Sequence, residues 1–242
     1  MACYSDLKGH SAIVTGADSR IGDAVVRELE AQKMWVTAVP AELPTEEATL
    51  SASALADKVR DHLTDVDTVS RTCSQVVGKY GGIDLLVHCA GAQPAVDGPQ
   101  ITDISDERWR GAVVSTMRGA FLWSQGVLRH MVARRRGCVV FIAAEAARNP
   151  TYAAGIDYAS TRGALTGLAR HLAREMGPHG IRVNVVAVAD AAAAGVSSLP
   201  RLPAYLSWAT PPASPAEAAR LVAFLASGAA AYITGVCLDA FR

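Results

Sequence analysis

The chain lacks any excess of charge. Across 242 residues, 23 Lys and Arg balance 23 Asp and Glu, for a formal net charge of +0. Acids and bases interleave, so electrostatics give no case for nucleic acid or an anionic membrane as a partner. No apolar run reaches membrane-spanning length. Met1 to Lys8 contains no basic region leading into an apolar stretch, which predicts no secretory signal and a cytoplasmic protein. Cysteine is sparse and patternless: Cys3, Cys73, Cys89, Cys138 and Cys237 are scattered and odd in number. None has metal-ligand spacing to another, so neither a metal site nor a disulfide framework is expected, and the thiols read as reduced and buried. Internal repeats and low-complexity linkers are also missing. What remains is one large α/β domain over residues 1–242, half apolar at 50% and able to bury a sizeable core.

Short apolar runs ending in turn residues punctuate the sequence. They are Ala12–Thr15, Met34–Val39, Asp84–His88, Cys138–Ala143, Arg182–Val188 and Val236–Leu238. Rich in Val and Ile without strict alternation, they read as strands buried on both faces. Between them lie helical patterns, with Val25, Val26 and Leu29 on one side of an early helix and Leu165, Leu168, Leu172 and Met176 striping a later one. Strand alternating with helix predicts right-handed crossovers and a Rossmann-like, doubly wound parallel sheet. Ser214-Pro215-Ala216-Glu217 is a capping box with proline in the first turn. Leu221, Val222, Phe224 and Leu225 then supply an apolar face that Gly228 can end. Residues 189–212, Ala- and Pro-rich with apolar parts, read as a long loop over the ligand crevice or as a surface loop.

The motifs in register resemble the short-chain dehydrogenase/reductase family over nearly the whole chain. "TGADSRIG" (Thr15–Gly22) is similar to its TGxxxGxG loop, and "GGIDLLVHCAG" (Gly81–Gly91) to the strand ending in NNAG. "GCVVFIAA" (Gly137–Ala144) resembles the strand bearing the catalytic serine, and "YASTRGAL" (Tyr158–Leu165) the YxxxK helix. Gly180–Ala189 and Ser214–Gly235 resemble later segments of the family. The resemblance implies hydride transfer between NAD(P) and a carbinol or carbonyl, with tyrosine as acid/base, lysine depressing its pKa, serine orienting the carbonyl and asparagine holding a water relay.

Carried over residue by residue, only the tyrosine survives, as Tyr158. Arg162 stands at the lysine position, Ala144 at the serine position with Glu145 beside it, and Thr116 at the asparagine position. A methyl group cannot donate to a substrate oxygen, and losing one oriented donor costs about 10²–10³ in rate. Arg162 could still favour phenolate, but a guanidinium passes no proton onward. The loop keeps Gly16 and Gly22, while Arg20 replaces its middle glycine. Val39-Pro40-Ala41 offers nothing for a ribose, His62 stands where an aspartate meets adenine, and His88 and Cys89 replace two amides. Val188-Ala189 replaces a Pro-Gly turn, and Asp239-Ala240-Phe241 does not preserve a terminal Asp-Gly-Gly. These substitutions predict a scaffold that has lost its dinucleotide, with no cofactor, unless a partner supplies NAD(P).

Other features read more plainly. His62 and His88 suit crevice-wall packing better than metal ligation. Glu145 reads as a solvated carboxylate, and Arg134-Arg135-Arg136 as a solvated helix end. The stripe from Leu165 to Met176, with Gly163 and Gly167 allowing close approach, reads as core or as an interface for a dimer or tetramer. The resulting expectation is a non-catalytic subunit pairing with an active homologue in a hetero-oligomeric NAD(P)-dependent dehydrogenase or ketoreductase. Two alternatives stand beside it. One is a cofactor-independent dehalogenase-, lyase- or cyclase-like enzyme using Tyr158 and Arg162, since Tyr-x-x-x-Arg resembles the halohydrin dehalogenases. The other is a weak NAD(P)-dependent oxidoreductase. Leu199, Leu202, Tyr205, Leu206 and Trp208 hint at a hydrophobic or aromatic acyl substrate.

Overall fold

The computed structural model describes residues 3–41, 63–91, 99–144, 155–188 and 214–240. The loop at 189–212, His62, Glu145 and Phe241 lie outside these residues. Six parallel strands form one sheet: β1 (Ser11–Thr15), β2 (Trp35–Val39), β3 (Leu85–His88), β4 (Gly137–Ala144), β5 (Ile181–Val188) and β6 (Cys237–Ala240). Their spatial order is β2-β1-β3-β4-β5-β6, as a doubly wound sheet requires. Each predicted strand is present with its boundaries moved by one to two residues.

Helices α1 (Arg20–Ala31) and α6 (Pro215–Ala226) cover one face. Helices α2 (Val66–Tyr80), α4 (Gly119–Arg134) and α5 (Ile156–Met176) cover the other. Between β3 and α4, α3 (Asp106–Val113) runs into a π-helical turn, Val114–Arg118. Successive strand side chains point to opposite faces, so each strand feeds both cores. Ile13, Leu86, Val139 and Phe141 pack with Val76, Trp123 and Leu165. Their neighbours Val14, Val87 and Val140 pack instead with Val25, Leu29 and Val222. Strands buried on both sides cannot alternate polar and apolar residues, which is why their sequences run unbroken.

The capping box forms as its sequence predicts: the Ser214 side chain accepts from the Glu217 N–H, and the Glu217 carboxylate accepts from the Ser214 N–H at 2.8 Å. α6 ends at Ala226, before Gly228, which opens a short 3-10 turn. The Arg134–Arg136 run ends α4 with Arg135 and Arg136 exposed, as a solvated helix end would, but its side chains are also tied down. Arg134 and Arg136 reach Asp84 at 3.1 and 3.0 Å, while Arg135 donates to the Pro178 carbonyl at 2.8 Å. Burial alone would raise the Asp84 pKa, but the Ser11 N–H and the two guanidinium groups hold it below the usual carboxylate range. The run thus fastens the end of α4 to the start of β3.

Candidate active site

The strand order reverses between β1 and β3, and the crevice beyond their carboxyl ends is where an open α/β sheet binds ligands. The chain leaves β1 through Gly16, whose φ is +67°. A Cβ there would lie 2.7 Å from the Ala90 N, so the two loops approach too closely for any side chain. A Cβ on Gly22 would penetrate the Gly16 carbonyl oxygen. Both retained glycines are therefore fixed by packing of this turn. Ser19 caps α1, accepting from the Gly22 N–H at 3.0 Å while its hydroxyl donates to the Gly16 carbonyl at 2.7 Å. Arg20 follows as the first helical residue and is exposed.

The residues aligned with the family's catalytic positions do converge. Ala144, at the end of β4, is fully buried against Tyr158, which is 2% exposed. The Arg162 guanidinium lies 5.5 Å from the Tyr158 ring centroid and is itself 5% exposed. Its Nη1 donates to the Ile142 carbonyl at 2.9 Å and more distantly to that of Ala90 at 3.5 Å. Positive charge thus stands beside the phenol, yet part of its donor set is spent on strand-end carbonyls. Thr116 lies within the π-helical turn and is buried. Its hydroxyl would be 2.8 Å from a Cβ at Gly91, where φ is +136°. A small cavity of about 20 Å³ joins Arg20 of the nucleotide loop to Cys89, Tyr158, Arg162 and Val188.

His88 and Cys89 part company. Cys89 lines that cavity, and burial pushes its thiol up to about 12, against a smaller pull from Arg162. It is therefore a poor nucleophile. His88 is fully buried, with Nδ1 2.7 Å from the Thr15 hydroxyl. Burial, then the nearby Arg162 charge, push its pKa down to about 3. It is a neutral strut between β1 and β3 and does not line the crevice wall. Sequence reasoning missed one further contact: Asp157, beside the tyrosine, accepts from Arg108 Nε at 2.7 Å and ties α5 to α3. The two lie 49 positions apart, and no spacing rule announces such a pair.

Comparison with known proteins fixes the class. The family model for short chain dehydrogenases matches residues 10–199. The chain is 30% identical over 254 aligned positions to the 3-oxoacyl-[acyl-carrier-protein] reductase FabG of Escherichia coli, covering 96% of each. It is 34% identical over 180 residues to the short-chain reductase protein NovJ of Streptomyces niveus, covering 73% of this chain and 67% of that one. The ligand-free aldohexose dehydrogenase of Thermoplasma acidophilum superposes with a TM-score of 0.77 at 28% identity, over 98% of this chain and 94% of that one. The chain belongs to the short-chain dehydrogenase/reductase family.

This membership overturns the expectation of no cofactor. Relatives matched over nearly their whole length are a reductase and a dehydrogenase. Such chemistry needs a hydride carrier, and in this family it is NAD(P). The cofactor-independent reading falls with that expectation. The substitutions that prompted it do not abolish the loop. Gly16 and Gly22 keep its path, α1 still begins at its end, and Arg20 adds an exposed cation there. A cation at a helix N-terminus opposes the macrodipole, an arrangement that a bound diphosphate would relieve. These residues fit the diphosphate of a dinucleotide, which when bound supplies the hydride.

Proposed function

We propose that this chain is the non-catalytic subunit of a hetero-oligomeric NAD(P)-dependent ketoreductase, pairing with a homologous chain that carries out the reduction. The observation that carries the reading is the pair Ala144 and Arg162. Where a carbonyl substrate needs a donor there is a buried methyl, and where the acid needs a proton supply there is a guanidinium donating to the Ile142 carbonyl. Tyr158 alone can neither orient a carbonyl nor be reprotonated through Arg162. The sheet, the helices and the turn at Gly16 nonetheless stand intact, which is what an assembling subunit needs. The names of the relatives suggest a 3-oxoacyl or related ketone as the substrate of the assembly.

A second reading rests on the retained Tyr158, which keeps a cationic guanidinium 5.5 Å from its ring and would suit a slow NAD(P)-dependent reductase acting alone. One experiment separates them. The chain and a homologous reductase with an intact Ser-Tyr-Lys set are purified singly and after co-expression, and NADPH oxidation is followed with acetoacetyl thioester. The subunit reading expects no turnover by this chain alone and a faster or more stable partner in the co-purified complex. Steady turnover by this chain alone, abolished in Tyr158→Phe, would refute it.

A further inference from the structure

We infer that Asp18 sets the dinucleotide preference of this chain, admitting NAD(H) and rejecting the 2′-phosphate of NADP(H). The inference needs only that the crevice takes a dinucleotide, whichever chain of an assembly does the chemistry.

The site fixes which way a dinucleotide lies. Arg20 borders the small cavity that Tyr158, Arg162 and Val188 complete beyond the ends of β4 and β5. It also borders the groove between α1 and α6, together with Arg27, Ser214 and Pro215. Arg20 therefore stands on the side of the α1 N-terminus where a reacting nicotinamide has to meet Tyr158. With the diphosphate at that N-terminus, the adenosine half extends the opposite way, across the end of β1 to the end of β2.

Asp18 holds that opposite side. It is exposed, and its Oδ1 accepts from the Ala41 N–H, two residues past β2, at 2.6 Å. Loop and strand are joined a second time by the Ala17 N–H, which donates to the Val39 carbonyl at 3.2 Å. The amides of Ala17 and Ala41 are thus both spent within the protein, and Pro40 has no N–H to offer. Among the described residues of the loop and of β2 with its end, Arg20 is the one cation near this crevice, and it borders α6 instead. Val39-Pro40-Ala41 supplies no acid of its own; the acid comes from the facing loop, 23 positions earlier.

The two cofactors differ at one place, the adenosine ribose. NAD(H) carries a 2′-hydroxyl there, which donates to a carboxylate in a charge-assisted hydrogen bond. NADP(H) carries instead a phosphate of roughly two negative charges. That phosphate brings acceptors to a carboxylate, to amides already spent and to no adjacent cation. Uncompensated like charge is what turns away a wrong ligand.

The experiment is a pair of titrations, NADH and NADPH against the purified chain, followed by nicotinamide fluorescence and by calorimetry, so no turnover is required. Wild type is expected to bind NADH about tenfold or more tightly than NADPH at low salt. The preference should shrink at high salt, where repulsion at an exposed carboxylate is screened. Asp18→Asn keeps an acceptor for the Ala41 N–H and removes only the charge. It should weaken NADH, tighten NADPH and bring the two within about threefold of each other; Asp18→Ser takes its place if that variant does not fold. Asp23→Asn removes a carboxylate from the α6 side of the same helix start and should leave the wild-type ratio within about twofold. Arg20→Ala should weaken both dinucleotides alike, because the diphosphate is common to them. NADPH bound as tightly as NADH by wild type would overturn the inference. So would a ratio unmoved by Asp18→Asn, a loss confined to NADPH in Arg20→Ala, or binding of neither dinucleotide. Turnover by this chain alone would refute the subunit reading and leave these ratios untouched.

Discussion

His88 makes stability depend on pH in a way that can be isolated. In the unfolded chain a histidine titrates near 6.5. In the fold, burial and the Arg162 charge lower that value to about 3. The folded-state pKa is depressed, so between these two values the unfolded chain binds a proton that the folded chain refuses. Stability therefore rises with pH through this window and is lost progressively as pH falls below about 6.5. One site contributes about 1.4 kcal/mol per pH unit once well inside the window. From pH 7 to pH 5 the loss is about 2 kcal/mol, a large fraction of the 5–15 kcal/mol typical of a domain. The assay is urea unfolding at both pH values for wild type and His88→Asn. Removing the imidazole costs stability at both, so the quantity of interest is the difference of differences, in which the other histidines cancel. Wild type is expected to lose about 2 kcal/mol more than the variant on acidification. Parallel losses would refute the reasoning, because they would mean that His88 titrates normally in the fold.

Three further outcomes follow from the same contacts. Gly22→Ala drives a methyl into the Gly16 carbonyl and should cost about 3 kcal/mol, read from the urea midpoint; an unchanged midpoint would show that the turn is looser than described. Arg162→Met removes the donor to the Ile142 carbonyl and should destabilise by about 1–3 kcal/mol, whereas a purely catalytic arginine would leave the midpoint unmoved. Arg20→Ala should weaken NADPH binding about 10- to 150-fold in a calorimetric titration, since a charge-assisted hydrogen bond is worth about 1.5–3 kcal/mol. Unchanged affinity would place Arg20 away from the diphosphate.

The fold was legible because its signals are local. Uninterrupted Val- and Ile-rich runs mark strands covered on both faces, and Ser214 with Glu217 marks a helix start within four residues. The site was legible as positions, since the motifs in register place Ala144, Tyr158 and Arg162 side by side. What those residues touch was not. His88 meets Thr15 across 73 positions, and Asp84 takes Arg134 and Arg136 across about 50, so no periodicity could announce either pairing. The π-helical turn at Thr116 leaves no composition signal. The cofactor expectation failed for a different reason. Each substitution in the loop reads as a lost contact, whereas the path of the loop depends on Gly16 and Gly22, which remain.

If this chain is the non-catalytic subunit, only the partner's tyrosine works when this chain and a competent homologue act together. Tyrosine-to-phenylalanine exchange is made in each chain separately, and thioester-dependent NADPH oxidation by the two purified complexes is compared with the parent. Loss of activity with the partner's substitution, and a rate within twofold of the parent with Tyr158→Phe, is the result predicted. The reverse pattern, or a collapse of the rate with Tyr158→Phe in an intact complex, would contradict it.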